Sequence, residues 1–427
     1  MNFRWRYLLG FMTAAAFVLA ACNGDEPTAV DPVENDEEVD KPEVVIGVVG
    51  GRVGPISNVG VGVGEAVDDW FEMVNARGGI DGREVRLVEI ETEYEVPRAV
   101  DAYNRMRDDG AVGMAVLGTA LSDALLPQSE EDGVPILFPG QGNAELVDGT
   151  ANPYAFPAAP TYPHQASSLA QWAADDWEDR GESGSPTVTC TAWDNPPGQE
   201  FCRGAEQASE ELGFDYAVEN AVPPGAVDAV PQVRQVMNAE PDYVFHSTVF
   251  GQAAAFLSAA CEEGLESTVL TWHWAITEEE IAAAGAECLD RLNYTGAFMS
   301  AMPVSDPEAM VMLRDHWAEE GEDPNPVSEN NQLYGNGLAI ANIMHEGLRL
   351  ADEAAGADEI TPEMYRDALR SITDFEGHET LCPTTITDED HGGNRALNLY
   401  QIIGGEFERI DTCVEGPRLP VEPDLGG

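Results

Sequence analysis

The run Val44-Val45-Ile46-Gly47-Val48-Val49 is followed by a turn at Gly54-Pro55 and then by Val63, Val67, Trp70 and Val74 at spacings of three and four. A wholly apolar run of that length reads as a strand covered on both faces, and the spaced residues lay one helical stripe against a sheet. Working outward, Val85–Ile90, Ala111–Leu117 and Val134–Phe138 are further short β-rich runs separated by helix-length stretches. This alternation predicts parallel strands with helices on both faces. After a proline-rich passage around Pro153 to Pro163 it resumes, with strands at Thr187–Trp193, Tyr216–Val222, Tyr243–His246 and Thr268–Trp272. Helices are expected between them, through Cys202–Leu212, near Val230–Asn238 and from Gln252 to Glu263. Two doubly wound α/β units therefore stand in series. Helices near Asp306–Glu320, Asn331–Ala355 and Pro362–Ile372 follow, and a hairpin at Leu397–Ile403 and Glu406–Ile410, turned by Gly404-Gly405, closes the pattern. Sheets of this kind bind ligands at the carboxyl ends of their strands, so the cleft between the two units is the expected site.

The first 21 residues place Arg4 and Arg6 before an apolar run from Tyr7 to Ala20 and end at Leu19-Ala20-Ala21-Cys22. This is the pattern of a cleaved secretory signal with a lipobox, which leaves Cys22 to carry the lipid. Multiple acyl chains would anchor the mature protein outside the cytoplasmic membrane, and that anchor is its expected membrane contact. Residues 22–43 form an acidic tether: from 23 to 43 there are nine acids, three Pro and one Lys. Six further cysteines, Cys190, Cys202, Cys261, Cys288, Cys382 and Cys413, lie in what would be an oxidising compartment. Sequential pairing closes three short loops and is the expected connectivity.

Acidic residues number 78 against 21 basic ones in 427 residues, a net charge of −57. That excludes nucleic acid and anionic membrane surfaces as electrostatic partners. From Val44 onward 69 acids still face 18 Arg, so the acidity belongs to the folded surface. An acidic surface with a single Lys, Lys41, suits a salt-rich exterior, where screening removes the self-repulsion.

Enzyme chemistry finds little support. Gly47, Gly50, Gly51 and Gly54 follow a strand without the G-x-G-x-x-G spacing of a dinucleotide site, and no G-x-S-x-G or H-E-x-x-H occurs. Asp388 to Asn394 offers oxygens but lacks the closing Glu of a calcium loop, and a hairpin turn is the better reading. Neither a metal nor a cofactor is expected.

Gly78-Gly79-Ile80-Asp81-Gly82-Arg83-Glu84-Val85, joined to the Val44 strand, resembles the type I periplasmic binding proteins of the branched-chain amino acid/amide (Leu/Ile/Val-binding) class, the solute receptors of ABC transporters. The similarity continues through Gly133-Val134-Pro135-Ile136, Asn143-Ala144-Glu145-Leu146, Pro223 to Asp228, Pro241 to Phe245 and Tyr400-Gln401-Ile402. The resemblance implies a clamshell of two doubly wound α/β lobes, 44–161 plus 303–395 and 162–302 plus 396–413, with 414–427 as a tail. A three-segment hinge near Tyr162, Met302 and Ala396 would join them. It also implies a monomer that delivers a hydrophobic amino acid, an amide or a small carboxylate to a permease. A sensing module that regulates a partner protein is the alternative.

By the same resemblance, the ligand carboxylate would meet Thr119-Ala120-Leu121-Ser122, with Ser122 donating its hydroxyl ahead of a helix starting at Asp123. Pro139-Gly140-Gln141-Gly142 would form the next turn, where Gly142 stands in place of the family's Thr. On the second lobe, Asp194 to Gly198 occupies the place of an aromatic loop, and Val249 or Phe250 that of a contacting Tyr. His273, within Trp272-His273-Trp274, stands where some members hold an acid for the ligand ammonium. That exchange argues against an α-amino acid and leaves Trp272 and Trp274 free to line an apolar pocket, with Tyr162 as a further contact at the first crossover.

Overall fold

The computed structural model describes residues 41–157, 160–275, 278–328 and 332–420; the signal, Cys22 and most of the tether lie outside the described residues. The first unit runs β1 (Val44–Gly50), α1 (Ser57–Ala76), β2 (Val85–Glu91), α2 (Val96–Asp108), β3 (Ala111–Val116), α3 (Thr119–Asp132), β4 (Ile136–Phe138) and β5 (Ala155–Pro157). The second runs α4 (Tyr162–Asp179), β6 (Thr187–Trp193), α5 (Pro196–Leu212), β7 (Asp215–Val222), α6 (Val230–Met237), β8 (Tyr243–Ser247), α7 (Phe250–Glu263), β9 (Thr268–Thr271), α8 (Glu278–Ala284), α9 (Ala286–Arg291) and β10 (Thr295–Phe298). Then come α10 (Glu308–Glu320), α11 (Gln332–Ala355), α12 (Pro362–Leu369), β11 (Leu397–Ile403) and β12 (Glu406–Val414).

Two sheets result, in the order β2-β1-β3-β4-β5 and β12-β11-β10-β9-β8-β6-β7. The first is parallel throughout. The second is parallel from β7 to β10, and β11 and β12 add antiparallel at its edge. Each sheet thus has one strand, β1 or β6, with its sequence neighbour on one side and a later strand on the other. Chain direction around the sheet reverses there, and the loops leaving the strands diverge to open a crevice. β1 and β3 are apolar and almost wholly buried, as central strands covered by helices on both faces must be. Helix α11 returns to pack on α1, and α12 on β3, so late chain completes the first sheet's layers. The chain therefore passes between the sheets three times: before Tyr162, after Phe298 and before Leu397.

Buried Arg83 fastens the start of the fold. It bonds Asp352 at 2.8 Å and the carbonyls of Pro42 and Asp358, while Lys41 reaches Asp352 at 2.7 Å. Cys190 pairs with Cys202, Cys261 with Cys288 and Cys382 with Cys413. The final strand extends past Ile410 to Val414, and the following residues dock rather than trail away: Ser167 donates to the Pro417 carbonyl at 2.7 Å and Leu419 is buried.

Candidate functional site

A cavity of about 60 Å³ lies where the two crevices face each other. The first sheet contributes Ile56 and Val59 after β1, Tyr94 after β2, and Leu117, Gly118 and Thr119 after β3. The second side contributes Tyr162 at the head of α4, Trp193 and Pro197 between β6 and α5, Val249 after β8, and Trp272 and Trp274 after β9. Every contributing loop leaves the carboxyl end of a strand or opens a helix, as the topology demands.

Aromatic rings pack together along the second wall. Trp274 donates its indole N–H to the Tyr162 hydroxyl at 3.1 Å, and Trp272 donates to the Thr248 carbonyl at 2.9 Å. Tyr162 meets Trp272 edge to face, with centroids 4.9 Å apart. Burial raises the Tyr162 phenol, opposed by hydrogen bonds from Trp274 and Thr119. Tyr94 holds φ at 60°, left-handed backbone that costs a non-glycine residue energy and is often kept at ligand sites. Its phenol is also raised by burial, against a backbone hydrogen bond from Ala120 in the first turn of α3.

The chain matches the family model for periplasmic binding proteins over residues 43–406. It belongs to the periplasmic binding protein family. This is a family of extracytoplasmic solute-binding components, not of enzymes. The binding protein is 32% identical over 109 residues to an amino acid binding protein of Pseudomonas aeruginosa, a match spanning 25% of this chain and 29% of that protein. A Leu/Ile/Val-binding protein homolog of Brucella abortus is 20% identical over 84% of this chain and 94% of its own length. Among solved structures, a branched-chain amino acid ABC transporter protein from Thermus thermophilus with bound valine superposes with a TM-score of 0.75, at 23% identity, over 89% of this chain and 97% of that one.

Of the residues singled out from sequence, Thr119, Tyr162, Val249, Trp272 and Trp274 line the cavity of the binding protein, and Gly140 lies against its rim. A Cβ on Gly140 would stand 2.7 Å from the Trp274 ring and 3.0 Å from the Tyr162 hydroxyl, so only glycine lets the two walls meet here. Gly142 sits where the first unit approaches α5: a Cβ there would meet Glu200 and Pro197 at 3.4–3.6 Å, and its amide donates to Thr119 Oγ1 at 3.2 Å.

Three residues are placed otherwise. The helix expected from Asp123 begins at Thr119, so Ser122 is inside its first turn and fully buried, and its hydroxyl donates to the Gly118 and Thr119 carbonyls. It accepts from Gln141 Nε2 at 2.8 Å, which holds the β4 loop rather than a ligand. Leu121 points into the core beneath the first sheet. His273 is fully buried and absent from the cavity wall; its amide donates to Gln165 Oε1 at 3.3 Å, and burial pushes its ring down to about 3. The side chain of Phe250 lies outside the described residues.

Trp193 and Tyr94 were not singled out. Trp193 ends a strand and replaces the missing loop aromatic from one side; its place at the end of β6 could have signalled this. Nothing local in the sequence marks Tyr94, whose role depends on how β2 sits beside β1.

Proposed function

We propose that this binding protein is the extracytoplasmic receptor of an ABC importer, which captures a small solute between its two sheets and delivers it to a permease. The observation that carries the reading is the cavity itself, walled from both sheets at their facing crevices. The three passages between the sheets act as the hinge, and the lobes 44–161 plus 303–395 and 162–302 plus 396–413 close over the solute. The protein works as a monomer, anchored through lipid on Cys22, with residues 22–43 as tether, in a salt-rich exterior.

The test is calorimetric titration of a solute panel on the wild type and on Gly140→Ala. The added methyl overlaps Trp274 and Tyr162, so at least tenfold weaker binding is expected while folding persists. Unchanged affinity would remove the cavity as the binding site. Co-purification of permease subunits with the lipidated protein from native membranes distinguishes transport from sensing.

A further inference from the structure

Among the described residues the cavity wall consists of hydroxyl and indole groups, aromatic rings and aliphatic side chains, with no carboxylate to neutralise an ammonium group. We infer that the solute of this receptor is an apolar or aromatic molecule with an acceptor oxygen, either an acid or an amide, and no α-ammonium. This rests on the receptor reading above and narrows it.

Among the described residues, none that lines the cavity carries a charged side chain. An ammonium stripped of water needs a carboxylate or several free acceptors, and burying it without them is strongly unfavourable. Nearby acceptors are occupied. The Gly118 carbonyl receives the amides of Leu121 and Ser122 and the Ser122 hydroxyl, and the Thr248 carbonyl receives Trp272. Nearby carboxylates are also engaged: Asp123 accepts from Gln141, and Glu200 pairs with Arg203.

The wall offers donors to a solute. Tyr162 accepts from the Trp274 indole at 3.1 Å, and its rotatable hydroxyl hydrogen can turn toward an acceptor in the cavity. The Tyr94 phenol lines the same cavity and can turn its hydrogen the same way. Trp193 Nε1 is buried without a partner. The indole N–H of Trp193 needs an acceptor, because an unmet buried donor is costly. The first turn of α3, at Gly118 and Thr119, opens on the cavity as well, and a helix N-terminus repels a cation and favours an oxygen acceptor. The same end of the helix argues against a quaternary ammonium, which the rings alone would welcome. The remaining surface, three indoles with Val59, Val249 and Pro197, suits an apolar body.

Two matched series test this by calorimetry at fixed high salt. One is leucine, 4-methylpentanoate, 4-methylpentanamide and 3-methylbutylamine; the other is phenylalanine, 3-phenylpropanoate, 3-phenylpropanamide and phenethylamine. At least tenfold tighter binding of an acid or amide than of its parent amino acid, with no binding of the amines, is the expected result. Comparable or tighter binding of leucine, phenylalanine or an amine overturns the inference and leaves the receptor reading standing. Trp193→Phe keeps the ring and deletes the donor, and should weaken the bound acid or amide about tenfold without moving the melting temperature of the free protein. Unchanged affinity removes Trp193 from the argument and overturns the donor assignment. Mass spectrometry of solute released from protein purified from its host separates the two readings: a released ammonium compound overturns the inference alone. No released solute, with no response to either series, overturns both.

Discussion

The Ser122 hydroxyl lies 2.8 Å from Gln141 Nε2, and Gln141 accepts the Asn143 amide while its carbonyl receives Tyr162 N at 2.9 Å. One buried hydroxyl thus fixes the loop that meets the second unit. Ser122→Ala leaves the amide with Asp123 alone, and a loss of about 1–2 kcal/mol in urea unfolding is expected, with solute affinity moved far less than by Gly140→Ala. His273 makes a different prediction. Its folded value of about 3 lies below the ordinary 6.5, so between those values the unfolded chain binds a proton that the folded chain does not. Stability is then complete above about pH 6.5 and falls on acidification by about 1.4 kcal/mol per pH unit for each such group. His273→Phe should therefore make stability measured between pH 6 and 4 less steep by about one proton. An unchanged slope would show that His273 titrates normally in the fold.

At the scale of elements, the crossing of α4 and α5 rests on Gly204, where a Cβ would stand 2.4 Å from Pro163 Cα. The contact is with backbone, so side-chain motion cannot relieve it. Gly204→Ala should cost about 1–3 kcal/mol by overpacking and displace Tyr162, which begins the same helix. Loss of solute binding together with a lowered melting temperature is the expected pair of results, and a fully stable variant would refute the close crossing. Elements were legible where burial wrote a continuous pattern: β1 and β3 are apolar runs, β6 is a buried run rich in β-branched residues, and α1 carries its stripe in order. β5 was not, because it has three residues, ends in Pro157 and lies in a proline-rich passage; β10, Thr295–Phe298, has only four and owes its place to pairing with β9 and β11. The candidate site was half legible for a related reason. Trp272 and Tyr162 sit at element ends, which the pattern locates. Whether Ser122 or His273 faces the cavity turns on a helix start four residues from the expected one and on the path of the loop after β9, both decided by tertiary packing.

The whole molecule carries a net charge of −57, and many of the described arginines already sit among carboxylates: Arg52 contacts Glu65, Asp68 and Glu89, and Arg349 contacts Glu346 and Glu353. Most of these pairs are exposed or partly exposed and contribute little individually, so they cannot offset the remaining excess of acids. In dilute buffer the screening length is about 10 Å at 0.1 M salt, long enough for neighbouring acids on both lobes to repel; at 1 M it is about 3 Å. Glu145, beside the β4 loop, and Glu200, at the start of α5, face each other with such a repulsion, and Glu200 is held above the usual carboxylate range by burial first and partly by Glu145. Salt should therefore stabilise the fold and ease approach of the two lobes. The melting temperature is expected to rise steadily from 0.1 M to 3 M NaCl, and solute affinity to rise with it. Sucrose controls of matched osmolality separate screening from the general exclusion of cosolutes. A melting temperature that is flat in NaCl, or that rises equally in sucrose, would show that the acidic surface is not what ties this protein to salt.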